Sequence, residues 1–163
     1  MRKFFRTLWR ILIVAFIVIQ FFPPAKNISS GKAENPIAKN FKVPPDVQNA
    51  LETSCYDCHS NNTVYPWYTY VQPIGWWMHG HIDDGKKDLN FDTFSGYSLR
   101  RQYRKFEQIK DLVKKGEMPL PSYAFIHRKT ILSVKQIEEI EKWCDEQASY
   151  MRATFPADSL KKK

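Results

Sequence analysis

Apolar and polar positions alternate in different ways along this chain, and the changes of pattern mark its elements. From Ile11 to Phe22 every residue is apolar except Gln20, and Pro23-Pro24 follows. Helical spacing starts after Pro44-Pro45-Asp46, which has the form of a helix start. Val47, Ala50, Leu51 and Ser54 then share one face, predicting a short helix that delivers Cys55. The periodicity is then lost for almost forty residues. Ser60-Asn61-Asn62 reads as a break, Tyr65 to Trp77 is crowded with aromatics, Asp83-Asp84-Gly85-Lys86-Lys87 reads as a solvated turn, and Leu89-Asn90-Phe91-Asp92 as a short irregular segment. Helical spacing returns at Ser98, a suitable N-cap, with Leu99, Tyr103, Phe106, Ile109 and Val113 as the apolar stripe. Lys114 and Lys115 complement the negative end of that helix, and Gly116 takes the position just past it. A last helix opens with Ser133 and Gln136 in capping-box spacing and turns Val134, Ile137, Ile140 and Trp143 inward. Beyond Met151 the chain is expected to fray into a basic tail.

Charge changes the reading of the first segment. Arg2, Lys3, Arg6 and Arg10 precede the apolar run with no acidic residue among them, the layout of an export signal. No A-x-A-like cleavage site follows, so the segment is expected to stay as an uncleaved membrane anchor extending back to Phe4, with Arg6 and Arg10 snorkelling to the cytoplasmic surface. A buried core helix is excluded by the cost of burying that cationic flank. The positive-inside rule then puts the remainder on the periplasmic or extracytoplasmic side of a cell membrane crossed once. These four cations, Lys26 and Lys161 to Lys163 account for the whole formal charge of +8, so the stretch between is balanced and carries no nucleic-acid-binding face. With 163 residues there is room for one domain. The expected plan is an anchor over 1–26, a polar linker over 27–43, the folded domain over 44–152 and the basic tail over 153–163.

The chemistry is concentrated in Cys55-Tyr56-Asp57-Cys58-His59. This is C-x-x-C-H, in which two cysteine sulfurs bond covalently to haem and the histidine ligates its iron. A zinc site would need a fourth ligand, for which only the lone Cys144 and the scattered His79, His81 and His127 are available. A thioredoxin-like dithiol would follow a strand of a βαβ unit, and nothing before Cys55 resembles one. An aromatic content of 15% suits a chain that wraps a large flat cofactor. The aromatic run from Tyr65 can be a wall against haem or ordinary core.

Candidates for the opposite side of the iron are several. Met118 sits in a loop whose following Pro119 could aim its thioether inward, and it could equally fill a gap in the core. Met78, His79 and His81 are also within reach in sequence. Cys144 is left over as a free thiol once two cysteines are used on haem.

Taken together, the short helix, C-x-x-C-H, long irregular segment, helix, Met-Pro loop and capped last helix resemble the small all-helical class I cytochrome c fold. More specifically, the chain resembles the haem-binding-domain family of membrane-anchored cytochrome c-like proteins. The residues that carry this are Cys55 to Asn61, Tyr65-Pro66-Trp67-Tyr68, His81 with Gly85, Leu89-Asn90-Phe91, Met118-Pro119 with Tyr123 and His127, and Leu132-Ser133 through Trp143. They span about residues 40 to 145. The resemblance implies an all-α fold: a small cytochrome c-like helical domain with a long irregular aromatic-rich insert, preceded by an N-terminal membrane helix. It also implies one haem c per chain, held by Cys55 and Cys58, with His59 as the proximal iron ligand and Met118 as the distal one. His81, His127 and His79 stand as alternatives to Met118. The expected function is a membrane-tethered c-type cytochrome carrying one electron between redox protein partners. A haem sensor or peroxidase-like enzyme with an open sixth iron position is the other reading.

Overall fold

The computed structural model describes residues 1–34 and 36–160. It is helical, with one isolated antiparallel bridge between Ile28 and Asn62 among the described residues. Its helices are α1 (Arg2–Ile19), α2 (Pro45–Ser54), α3 (Tyr56–His59), α4 (Ile74–Asp88), α5 (Leu99–Lys114), α6 (Pro121–Ile126), α7 (Val134–Thr154) and α8 (Ala157–Leu160). Local sequence explains most of these boundaries. Pro44 and Pro45 open α2, whose inner face is Val47, Ala50 and Leu51. Ser98 Oγ accepts from the Arg101 amide at the start of α5, and Gly116, at φ +68°, ends that helix in the left-handed conformation where a side chain would be strained. Ser133 and Gln136 form both halves of the capping box on α7.

The fold is built on the antiparallel pair of α5 and α7, with α2 laid across α7 and α8 returning against α5. Phe106 is central: its ring meets Phe41, Phe94 and Trp143 edge-on, at centroid distances of 4.9, 5.2 and 5.4 Å. Such edge-to-face contacts add to the burial of these large rings. Around them pack Val47, Leu51, Phe91, Ile109, Val113, Ile140 and Met151. Lys110–Asp145 at 2.7 Å and Lys114–Glu141 at 3.1 Å bridge the outer edges of α5 and α7. These pairs lie at the solvent edge and contribute little to stability.

Several expectations are corrected. The aromatic-rich insert is not irregular, because α4 occupies fifteen residues of it. Asp83 to Lys87 is the last part of that helix rather than a turn; Met78 and Ile82, four apart, are buried and anchor it. The 27–43 segment supplies Ile37 and Phe41 to the core, and Asn27 holds Ser60 and Thr63 through its side chain. The C-terminal segment does not fray at Met151: α7 runs to Thr154 and Leu160 of α8 is buried in the core. The basic residues 161–163 lie outside the described residues. Cys144 is a free thiol in the core, as the sequence suggested, and burial holds its pKa well above the usual range.

The N-terminal membrane helix is also overturned, and the single-pass membrane location with it. No helix among the described residues is long and apolar enough to cross a membrane. In α1 the four cations lie within the helix, which leaves Ile11 to Ile19 as its uninterrupted apolar part. At 1.5 Å per residue that part spans about 14 Å, half of a hydrocarbon core. The helix stops at Gln20, whose side-chain amide accepts from the Gln72 backbone N–H at 2.9 Å and donates to its carbonyl at 3.1 Å. Beside it, Trp76 Nε1 donates to the Phe22 carbonyl at 2.7 Å. The chain leaving α1 is thereby fastened to the domain.

Candidate functional site

The C-x-x-C-H residues sit where α2 ends. Cys55 terminates α2, and one further turn, α3, carries Cys58 and His59. That turn is held against α4 at close range. A Cβ on Gly85 would lie 2.8 Å from the Cys58 carbonyl oxygen and 3.4 Å from His59 Cε1, so only glycine lets the two helices approach this far. The close approach has a use, because His59 Nδ1 lies 3.0 Å from the Gly85 carbonyl and 2.9 Å from that of Leu89. Carbonyls only accept, so Nδ1 carries a proton and Nε2 is the nitrogen left without a protein partner. The ring orientation is thus fixed with Nε2 toward the cleft's occupant, the arrangement that orients metal-bound histidines.

Gly85→Ala therefore separates two opposing effects. Alanine in a helix interior gains about 1 kcal/mol over glycine, whereas overpacking against backbone costs about 1–3 kcal/mol. The expected result is a net loss of stability, read as a lower urea midpoint, together with a lower yield of haem-loaded chain.

Around His59 lies a cleft in two adjoining lobes of about 530 and 880 Å³, counted where they open to solvent. Ser54, Cys55, His59, Asp88, Met118 and Pro119 border both lobes. Leu89, Phe91, Ile109, Leu112 and Val113 make the wall of the smaller one, and Cys58, His81 and Tyr123 border the larger. The walls of both lobes are predominantly apolar with few polar groups, as cofactor clefts are. Burial pushes the Cys55 thiol up to about 12 and the Cys58 thiol up to about 11, with Cys58 and Asp57 respectively adding to the effect. Both are therefore protonated at neutral pH, unlike the low-pKa thiolate of a dithiol redox motif. Among the described residues no three His, Cys, Asp or Glu side chains converge in a group that could hold a metal ion.

The candidates for the opposite ligand separate clearly. Met118 is half-buried and shares both lobes with His59, in a loop held by Glu117 and Met118 amides donating to the Leu112 carbonyl at 2.9 and 3.2 Å. His81 borders the larger lobe with its Nδ1 on the Trp77 carbonyl at 2.9 Å. His127 uses both ring nitrogens elsewhere: Nδ1 donates to the Tyr123 carbonyl and Nε2 accepts from the Tyr68 hydroxyl at 2.8 Å. His79 pairs with Asp83 at 3.3 Å and does not border the cleft. Met78 is in a small core cluster with Ile82 and Tyr123. The aromatic run is neither wall nor core for the most part, since Trp67, Tyr70, Trp76 and Trp77 are exposed.

Some residues of the site had no signal in the sequence. Asp57, the second spacer residue of the motif, accepts a 2.6 Å hydrogen bond from the Tyr123 hydroxyl through one oxygen and the Val64 amide through the other. Burial and the Asp57 carboxylate together push the Tyr123 pKa far up, so its proton stays in that bond. Asp88 and Lys105 also face the cleft.

A family model described as a haem-binding domain matches residues 14–146, most of the length of the chain. The chain belongs to the haem-binding domain family. No curated protein and no solved structure matches it. The residues of this haem-binding domain fit the cofactor on three counts: an apolar cleft, an imidazole whose Nε2 has no protein partner, and two thiols beside it that burial keeps protonated. Haem supplies a one-electron couple at iron when bound. His59 would hold the metal, Cys55 and Cys58 the porphyrin edge, and the α5 wall from Ile109 to Val113 would keep water from the ring.

Proposed function

We propose that this haem-binding domain is a single-haem c-type electron carrier. Cys55 and Cys58 would hold the haem covalently, each thiol adding its sulfur to one carbon and its hydrogen to the other carbon of a vinyl double bond with no net oxidation, and His59 Nε2 and the Met118 thioether would hold its iron. The observation that carries this reading is the His59 ring, locked by two backbone carbonyls beside two protonated thiols, in a cleft that also holds the Met118 thioether. Held by a histidine and a methionine, the iron would have a raised potential and no place for oxygen, which suits electron transfer. A redox protein partner would dock transiently where the larger lobe opens.

His81 supports the second reading. It borders the same lobe as Met118 and could hold a polar group there if the thioether were displaced, as in a sensor or peroxidase-like enzyme. One experiment tests both. The native full chain, made in a host that attaches haem, should have the mass of polypeptide plus one haem, and in its reduced form should leave carbon monoxide unbound. Ready uptake of carbon monoxide would favour the sensor reading, and a colourless chain with the bare polypeptide mass would sink both.

A further inference from the structure

The cleft has one polar end, and its groups are mismatched. Lys105 faces inward from α5 and is only 2% exposed, yet its one anionic partner, Asp88 at 2.7 Å, has a side chain that is 67% exposed. An ammonium carries three donors, and Asp88 takes one of them. A buried cation with a single partner leaning into solvent is poorly compensated. One turn further along α5, Gln108 borders the same lobe with its Oε1 buried and unpaired. The two ends of a glutamine amide exchange by a half-turn, so this group can equally present Nε2–H. The neighbouring wall, from Leu89 and Phe91 to Ile109 and Val113, offers no acceptor side chain.

Donors left over at one end of an apolar cleft call for an anion on what fills it. We infer that Lys105, assisted by Gln108, receives a carboxylate of the bound cofactor and so fixes which edge of it points to α5. Resting on the haem reading above, that carboxylate is a propionate, the acidic group of the porphyrin. Asp88 then acts as a rival for the same ammonium: it holds Lys105 in place and shares it.

The test is resonance Raman spectroscopy of the haem-loaded full chain, in the propionate bending band, which rises as hydrogen bonding to that carboxylate strengthens. Lys105→Met should lower the band. Asp88→Asn, which removes the rival anion and leaves the lysine, should raise it. Lys110→Met, on the outer edge of α5 against Asp145, should leave it where it is. An unmoved band in Asp88→Asn overturns the proposal whatever becomes of the lysine variant. Failure of the haem reading is distinct: it appears as a native chain that holds no haem at all.

Discussion

Replacing Cys55 and Cys58 together by alanine is expected to abolish haem staining of the chain on a denaturing gel, while the native chain stains. Denaturation removes the imidazole, the thioether and the apolar walls at once, because each acts only through the folded geometry. Covalent sulfur–carbon bonds survive it. Each single variant keeps one such bond and should still stain, at lower yield. The helices should persist in all three variants: Cys55 and Tyr56 only edge the core, whose centre is Phe106 against Phe41, Phe94 and Trp143, and circular dichroism of the double variant should retain the helical signal. Staining that survives in the double variant would refute covalent attachment through this motif.

Trp143→Ala should cost the most stability. Its ring is buried between α7 and Phe106, and its Nε1 donates to the Lys42 carbonyl at 3.0 Å, tying the chain before α2 to the last long helix. Truncating a buried tryptophan costs about 3–5 kcal/mol through lost transfer energy and the cavity left behind. Set against a typical domain stability of about 5–15 kcal/mol, that is a large share. The measurement is the urea midpoint, expected to fall with the slope unchanged. Trp143→Phe keeps the contact with Phe106 but not the N–H, so it should lie between the two. A Trp143→Ala loss under about 1 kcal/mol would mean that the core is not centred where the structure puts it.

What could be read from the sequence was what local physics decides. α2, α5 and α7 carry their own caps and stripes, and Val47, Ala50 and Leu51, or Phe106, Ile109 and Val113, are where periodicity places them. The C-x-x-C-H pattern lies within five residues and needs no fold to be seen, and the structure puts Cys55, Cys58 and His59 at the cleft. α4 was not legible. Glycine among two aspartates and two lysines looks like a turn, and the reason for Gly85 lies in the approach of Cys58, twenty-seven residues away. Lys105 was missed for a similar reason, since a lysine next to the stripe residue Phe106 reads as solvated until Asp88 and the cleft are seen beside it. The anchor expectation failed because Arg6 and Arg10 were counted within the span, whereas the four cations take up the first half of α1 and leave only Ile11 to Ile19 uninterrupted.

The hydrogen bond from Tyr123 to Asp57 gives the spacer between the two cysteines a mechanical role. Tyr123 belongs to α6, which begins three residues after Met118, and Asp57 stands one residue before Cys58. A single 2.6 Å tie thus clamps the strap that follows Met118 to the turn bearing His59. The jaws on either side of the cleft are braced against each other, and loosening one lets the other drift.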